Sequence, residues 1–404
     1  MNFEDSPQEA AFRAEVRDWL AAHATDYINP LPADISLKDF IGHARSWQRK
    51  KSTVGYAAIG WPKSAGGLDG TPMQEVIFAD EEARYHVPVG PFVSIGTGLV
   101  LPTFRKHATP EQVERFARPT LEGEVLWCQL FSEPAAGSDL AGLRMRAVKD
   151  GDDWVINGQK VWNSWAHVAD WGILVVRTDP DVVKHKGLTY FIVDMKTPGI
   201  EVRPIRQPEG ESEFNEVFFT DVRIPDSSRI GAVGDGWKVV MTTLMNERLI
   251  AVSESSALPT VVELLQANEA CASTRPATAA AARLRIAQLY AQEQGLKNYR
   301  MRQLTQISRG EPVSSMSVLS KLVYGRMLQE LSALALDQQG LAGAAGNSEL
   351  TRKFRHGYFW GAAMRIAGGT DEILRNQIAE RVLGLPGDIR LDKDVAFSKL
   401  PSGR

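Results

Sequence analysis

The chain has 404 residues, of which 44% are hydrophobic and 24% are charged. This composition is typical of a folded protein with two or three domains, and it excludes a disordered or membrane-embedded chain. The formal charge of −3 at pH 7 argues against nucleic acid or an anionic membrane as the main partner.

Cysteine usage and the amino terminus both indicate a cytoplasmic protein. Cys128 and Cys271 are far apart and form no Cys-x-x-Cys motif, which is typical of a reducing compartment. The chain begins Met-Asn-Phe-Glu-Asp, with acid where a targeting peptide carries base, and no apolar run reaches membrane length.

A repeated start signal predicts helices in the first third of the chain. Residues 6–9, 71–74 and 109–112 each place a hydroxyl at the N-cap, proline next and Glu or Gln at the third helical position. This capping box satisfies exposed backbone amides. We therefore predict an amino-terminal helical domain over residues 1–125.

A period of two then predicts an antiparallel β domain over residues 126–230. Leu143, Met145 and Ala147 alternate with polar residues, and Asp150-Gly151 predicts a turn. Asn157-Gly158 is a further two-residue hairpin signal.

The helical period returns from Gly234 onward and predicts a carboxy-terminal bundle over residues 231–404. After a first long helix, further helices are predicted roughly over 279–308, 315–338, 349–366 and 371–384. The last twenty residues are expected to form a tail that wraps the surface or a neighbouring chain.

The first candidate site is the loop within residues 127–139, WCQLFSEPAAGSD. Its first half favours a strand, while Pro134 and Gly137 force the backbone out of regular structure and leave amides free to approach a ligand. Such a loop suits a flat, polar cofactor, although a simple turn explains the same residues.

Glu247 is a candidate proton acceptor because it interrupts the apolar face that Val240, Leu244 and Ala251 define on the first carboxy-terminal helix. Partial desolvation raises the pKa of a carboxyl group and makes it a better base near neutral pH. The alternative is an ion pair with an arginine on a neighbouring helix.

Two other features have functional and structural interpretations. Gly368-Gly369-Thr370 precedes a helix, where free amides favour a phosphate, although a plain N-cap explains the same residues. Trp162, Trp165 and Trp171 are either core residues or the wall of a flavin site. The histidines show no metal-ligand spacing, and no Gly-x-Gly-x-x-Gly follows a strand.

Four motifs in order resemble the acyl-CoA dehydrogenases. They occupy residues 131–139 (FSEPAAGSD), 155–162 (VINGQKVW), 221–225 (DVRIP) and 369–373 (GTDEI), and they span most of the chain. The resemblance implies an α+β fold with helical, β and helical domains. It also implies FAD bound between the β domain and the carboxy-terminal helices, with an acyl-CoA thioester against one flavin face.

The resemblance also assigns cofactor contacts by motif position. Phe131 and Ser132 are expected to meet the flavin, and Ser138 to lie near the cofactor phosphates or the pantetheine arm of the substrate. Trp162 is expected to wall the isoalloxazine ring, with Ser164 hydrogen-bonding near its reactive nitrogen. The last two expected contacts, to the diphosphate and ribityl region, come from Thr370 and Glu372.

In such enzymes a glutamate removes the proton α to the thioester while the β carbon gives a hydride to the flavin. Many members carry this base just before the Gly-Thr of the last motif, where Gly368 stands here. A smaller group carries it on the first long carboxy-terminal helix, directly before an arginine. Glu247-Arg248 matches that pattern, so Glu247 is the expected base, and Arg248 is assigned with Ser138 to substrate binding.

Partners follow from the same resemblance. We expect an electron-transferring flavoprotein as acceptor and a homo-oligomer or an α2β2 assembly with a related chain. Residues 271–290 lack the Arg-x-x-Phe-Gly run that reaches a neighbouring subunit's FAD in this family, which puts a simple homotetramer in doubt. The residues of these motifs resemble those of the actinobacterial branch of the family, whose members act on fatty acyl chains, sterol side chains and other bulky acids.

Two other functions stay open on the sequence alone. One is a non-catalytic partner subunit of a heteromeric acyl-CoA dehydrogenase, and the other is a flavin monooxygenase or oxidase on the same fold. The joint presence of Glu247, Ser132, Trp162 and Ser164 argues against an inert partner. Oxygen reactivity of the reduced flavin would distinguish the third possibility.

Overall fold

A computed structural model of the chain describes residues 5–32, 35–210, 212–250, 258–309, 311, 317–387, 389 and 392–401, without the side chains of residues 247–250, 307, 308 and 317. The chain separates into two compact units. The first unit contains residues 1–31, 71–87 and 251–387, and the second contains residues 32–70, 88–250 and 388–404. Within the described ranges, every helix is too short or too polar to cross a membrane.

The α-helices are, in chain order, α1 (Pro7–His23), α2 (Leu37–Thr53), α3 (Pro72–Glu82), α4 (Leu101–His107), α5 (Pro110–Leu121), α6 (Gly236–Ile250), α7 (Val261–Thr274), α8 (Pro276–Ser308), α9 (Ser317–Gln339), α10 (Leu341–Ala345), α11 (Glu349–Met364) and α12 (Asp371–Gln377). Two π-helices, Phe92–Val100 and Ile378–Val382, continue into or from α-helices.

Local sequence signals located these helices well. The capping boxes at Ser6, Thr71 and Thr109 are all formed, with side chain and backbone bonded in both directions. The predicted helix over residues 371–384 changes character at its middle, since α12 ends at Gln377 and a π-helical turn follows.

The first unit is a helical bundle. Helices α7, α8, α9 and α11 pack around a core in which Leu264, Leu289, Leu331 and Phe354 are fully buried. Helices α1 and α3 join this unit, and α3 is tied to α8 by the ion pair between Arg300 and Asp80 at 2.8 Å.

The second unit is built on a sheet. Its strands are β1 (Trp127–Leu130), β2 (Arg146–Asp150), β3 (Asp153–Lys160), β4 (Trp171–Arg177), β5 (Leu188–Asp194), β6 (Ile200–Pro204), β7 (Asn215–Pro225) and β8 (Arg229–Ile230). The spatial order is β6-β7-β3-β2-β4-β5-β8, with β1 paired to β4. The sheet is antiparallel, as predicted, except that β4 pairs in parallel with β1 and with β2.

One predicted turn is wrong. Asn157-Gly158 does not form a hairpin, because both residues lie inside β3, which continues to Lys160. Gly158 instead marks a bulge where the register with β7 shifts, and its φ of +146° suits glycine. The hairpin between β2 and β3 turns through Gly151-Asp152, one residue later than the predicted Asp150-Gly151 turn.

Helices that precede the sheet in sequence, α4 and α5, and the helix that follows it, α6, pack on one face of the sheet. Phe104 of α4, Phe116 of α5 and Trp127 of β1 form an edge-to-face cluster with ring centroids 5.4–6.0 Å apart. The same core contains Tyr190 of β5 and Val240 of α6, both fully buried. This packing anchors the start of β1, and the candidate loop follows that strand.

Gly199, before β6, gives a test of how tightly the sheet edge is packed. Its φ is +92°, and a methyl group at its Cα would lie 2.3 Å from the carbonyl oxygen of Thr220. We expect Gly199→Ala to lower the free energy of unfolding by about 1–2 kcal/mol from backbone strain and by a further 1–3 kcal/mol or so from crowding.

The matched control is Gly210→Ala. Gly210 has a similar φ of +94°, but no atom of the described residues lies within 4 Å of the added methyl group, so we expect only the backbone cost. Denaturant unfolding of both variants measures the difference. Equal losses of stability would show that the contact with Thr220 does not constrain the fold.

Candidate functional site

The loop that follows β1 is tied to the end of β3. Phe131 is 3% exposed, and its ring lies edge-on to Tyr190 with centroids 5.7 Å apart. The amide of Val161 donates to the carbonyl of Ser132 at 2.9 Å. The Ser132 side chain is half-buried, and its hydroxyl has no partner among the described residues. The Val161–Ser132 bond joins the segment after β3 to the loop after β1.

A buried ion pair also joins the end of β3 to the loop after β1. Lys160 is fully buried, and its Nζ donates to Glu133 Oε1 at 2.8 Å and to the carbonyl of Phe131 at 2.9 Å. Glu133 also accepts from the amides of Arg144 and Met145, at 2.6 and 3.0 Å. Burial lowers the pKa of Lys160, and the negative charge of Glu133 opposes this effect.

Sequence reasoning assigned no role to Glu133 or Lys160, although both lie inside the quoted motifs. The available signal was a lysine in a strand, Lys160, which the period of two places on the same face as the apolar Trp154 and Ile156. A lysine on a buried strand face requires a carboxylate partner, so this pattern could have indicated the pair.

The rest of the loop keeps its backbone donors exposed. Ser138 is exposed, and no described atom lies within 4 Å of a methyl group placed on Gly137. Among the described residues, the amides of Gly137, Ser138 and Asp139 have no acceptor. Consecutive free amides of this kind are a suitable site for an anion such as a phosphate.

The segment after β3 has an unusual backbone. Trp162 and Trp165 both have a φ of +63°, a conformation that bulky residues rarely adopt. The Trp162 side chain is 60% exposed and lies edge-on to Phe214 at 6.2 Å. Between them, the half-buried Ser164 has neither a side-chain nor an amide acceptor in the described part of the chain.

Two asparagines hold this strained segment in place. Asn163 is 2% exposed, and its Nδ2 donates to the carbonyl of Gln129 at 2.8 Å. Asn215 of β7 donates through Nδ2 to the carbonyl of Asn163 at 2.8 Å, and its carbonyl accepts from the Asn163 amide at 3.1 Å. His167 bonds to Asn215 Oδ1 at 3.1 Å, and burial lowers the pKa of its ring. Sequence reasoning missed all three.

Helix α6 is joined to the same core through a buried hydroxyl network. Thr243 Oγ1 lies 2.9 Å from Thr103 Oγ1 and 3.2 Å from the hydroxyl of Tyr190, whose ring contacts Phe131. Burial raises the pKa of Tyr190, so it stays a neutral hydroxyl.

The predicted base, Glu247, and the predicted substrate-binding residue Arg248 lie about one turn after Thr243 in α6. Glu247 and Arg248 belong to the helix, but their side chains lie outside the described residues. Their roles therefore stay predictions.

Thr370 and Glu372 belong to the first unit. Thr370 is the N-cap of α12, and its Oγ1 accepts from the amide of Ile373 at 3.2 Å, as the plain N-cap interpretation required. Gly368 and Gly369 precede it with φ of +61° and +99°. Glu372 is exposed on the first turn, so it is accessible to a ligand.

Comparison with known proteins covers almost the whole chain. Family models of the acyl-CoA dehydrogenase N-terminal, middle and C-terminal domains match residues 6–124, 128–222 and 234–383. Acyl-CoA dehydrogenase IpdE1 of Mycolicibacterium smegmatis is 36% identical over 398 residues, which cover 94% of this chain and 98% of that protein. The chain belongs to the acyl-CoA dehydrogenase family.

Two further similarities place it within that family. Acyl-CoA dehydrogenase FadE34 of Mycobacterium tuberculosis is 42% identical over 333 residues, which cover 82% of this chain but only 45% of that longer protein. A chain in the crystal structure of the ChsE4-ChsE5 complex from Mycobacterium tuberculosis superposes with a TM-score of 0.77. That match has 27% identity and covers 96% of this chain and 100% of the other.

Acyl-CoA dehydrogenases are FAD-dependent oxidoreductases, and the described residues fit that cofactor. The exposed indole of Trp162 offers a flat surface, and the hydroxyls of Ser132 and Ser164, in the two segments that the Val161–Ser132 bond joins, have no partner among the described residues. An isoalloxazine ring needs such a combination, because it has apolar faces and polar edge atoms. Phe131, Ser132, Trp162 and Ser164 all lie in the second unit. Their contacts with the flavin stay predictions.

The exposure of Trp162 leads to a prediction about cofactor retention. We expect Trp162→Ala to weaken FAD binding about five- to tenfold because it removes an aromatic contact. Stability should change by less than about 1 kcal/mol, since an indole that is 60% exposed contributes little to the core.

Flavin content and thermal unfolding of the purified variant are the measurements. Trp162→Phe is the matched control, because it keeps a flat ring at the same position. Full flavin content combined with a large loss of thermal stability would show that Trp162 is a structural residue instead.

Proposed function

We propose that this chain catalyses the FAD-dependent α,β-dehydrogenation of an acyl-CoA thioester to the trans-2-enoyl-CoA. The observation that supports this most directly is the strained, exposed Trp162, in the same segment as Ser164 and next to the Val161–Ser132 bond, with no partner among the described residues for either serine hydroxyl. Strained backbone that is held by buried contacts is a common property of ligand sites.

FAD, when bound, supplies an acceptor for the hydride that leaves the β carbon of the thioester. The amide and hydroxyl of Ser164 and the hydroxyl of Ser132 would donate to polar edge atoms of the ring. Phe131 would meet the ring through its backbone, and Trp162 would cover its apolar face and exclude water. This preorganisation matters because hydride and proton transfer both need fixed alignment in a dry site.

Glu247 is the proposed base that takes the α proton. Glycine at position 368 has no side chain that could take a proton, so the base must stand elsewhere. Helix α6 continues through position 247, one turn after Thr243, whose hydroxyl network ties the helix to Tyr190 and Thr103. A base on a helix anchored in this way can be held at a constant distance from its substrate.

The remaining roles complete the proposal. Ser138 and Arg248 are assigned to the acyl-CoA, with Ser138 also near the cofactor phosphates. Thr370 and Glu372 are assigned to the diphosphate and ribityl region of FAD, supported by their position at the first turn of α12.

Partners and domain limits belong to the same proposal. An electron-transferring flavoprotein is the proposed acceptor, and the assembly is a homo-oligomer or an α2β2 tetramer with a related chain. The name of the ChsE4-ChsE5 complex supports the second form by analogy. Domain limits after residues 125 and 230 are supported by the gaps between the three family-model matches.

The first experiment is a visible spectrum of the purified protein, followed anaerobically as acyl-CoAs are added. The panel should contain short, medium, branched and sterol-like acyl groups. We expect a yellow protein that one class bleaches, which would also identify the substrate class. A flavin-loaded protein that no acyl-CoA bleaches would contradict the dehydrogenase proposal and direct the search to a partner chain.

In that assay Glu247→Gln should keep FAD and lose substrate-driven flavin reduction by about 10²- to 10⁴-fold, because the amide cannot take the α proton. Glu114→Gln, an exposed glutamate of α5, is the control and should reduce at the parent rate. Flavin reduction at the parent rate in Glu247→Gln would remove Glu247 from its role.

A further inference from the structure

The carboxy-terminal segment 392–400 lies on the loop between β4 and β5. Ala396 pairs with Val183 in an isolated antiparallel bridge. The amide of Phe397 donates to the carbonyl of Val182 at 2.8 Å, and Ser398 Oγ donates to Asp181 Oδ1 at 2.9 Å. These contacts lie within the second unit, so the segment is a fixed part of it and not a free tail.

Lys184 connects this segment to the candidate phosphate loop. Its Nζ contacts Asp392 Oδ2 at 2.5 Å and both carboxylate oxygens of Asp139 at 2.9 and 3.0 Å. The Lys184 side chain is 13% exposed, whereas the side chain of Asp139 is 63% exposed. Asp139 directly follows Ser138, and Lys184 neutralises its charge beside the free amides.

Arg177 provides a second connection, to the residues that directly follow the loop. It is 3% exposed, and its Nη2 and Nε donate to the carbonyls of Ala141 and Leu143 at 2.6 and 3.0 Å. The ring of Phe397 covers this guanidinium, with the central carbon 3.4 Å from the ring centroid. Arg144 lies over the same ring at 5.3 Å.

We propose that segment 392–400 is a strap that positions the loop of residues 134–139 to bind a diphosphate. The strap does so through Asp392, which contacts the Lys184 that binds Asp139, and through Phe397, whose ring covers Arg177. Loosening either contact would let the free amides of Gly137, Ser138 and Asp139 move apart, and a preorganised anion site would be lost. Phe397 is therefore a positioning residue that touches no ligand.

The proposal deepens the proposed function and depends on it for the identity of the ligand. Two diphosphates are present in the reaction, one in FAD and one in the coenzyme A part of the substrate. Both have the anionic oxygens that free backbone amides bind. Binding experiments with the two molecules separately show which one the strapped loop serves.

The test variant is Phe397→Ala, which removes the cover from Arg177 without changing charge. FAD is titrated into apoprotein by flavin fluorescence, and coenzyme A is titrated into holoprotein by calorimetry. We expect the dissociation constant of one of the two to rise about tenfold. Val395→Ala, which shortens an aliphatic side chain of the same segment, is the matched control and should leave both constants unchanged.

A weaker constant for FAD assigns the loop to the cofactor, and a weaker constant for coenzyme A assigns it to the substrate. Either outcome supports the strap. If both constants match those of Val395→Ala and only the melting temperature falls, the segment merely stabilises the fold and the proposal is wrong.

A second variant covers the case in which Phe397→Ala does not fold. Phe397→Leu keeps an apolar cover but removes the aromatic face, and we expect a rise of about two- to threefold. Binding constants equal to those of the parent would overturn the proposal. These measurements need no turnover, so a parent protein that binds both molecules but dehydrogenates nothing would contradict only the proposed function.

Discussion

The buried pair of Lys160 and Glu133 is the contact on which the candidate site depends. It joins the end of β3 to the loop after β1, and Glu133 also collects two backbone amides from the chain leading into β2. A lysine that is shielded from solvent needs its carboxylate partner, because removing one member of such a pair lowers the free energy of unfolding by about 3–5 kcal/mol. The loop carrying Ser132 and Ser138 is therefore held by an interaction that tolerates little movement.

That rigidity makes the strained segment after β3 possible. Trp162 and Trp165 keep a left-handed backbone only because the surrounding contacts over-determine it. Asn163 and Asn215 supply those contacts through reciprocal bonds between main chain and side chain. The result is an indole that faces outward while its backbone is fixed, an arrangement that favours binding of a flat ring over hydrophobic collapse.

A third element, helix α6, shares the same core. Tyr190 contacts Phe131 of the loop and Thr243 of the helix, so the loop and the helix rest on one buried residue. Thr103 extends this contact to α4 in the same unit. The proposed dehydrogenation needs a base and a hydride acceptor at fixed separation, and a common support for the two would reduce the reorganisation needed during the reaction.

The sequence by itself determined the features that depend on near neighbours. The capping boxes at Ser6, Thr71 and Thr109 formed as predicted because each is closed within four residues. The order of helical and β segments followed from hydrophobic period, and the motifs around Phe131 and Trp162 identified the family. These signals are local or cumulative, so they survive ignorance of the tertiary packing.

Tertiary structure decided what depends on distant partners. Asn157-Gly158 has the chemistry of a turn, yet pairing of β3 with β7 keeps it inside a strand as a bulge. Lys160 and Glu133, or Asn163 and Asn215, meet only because the sheet brings their strands together. The position of Phe397 over Arg177, 220 residues away in sequence, is set in the same way. Such contacts are fixed by long-range closure, which no local pattern of residues encodes.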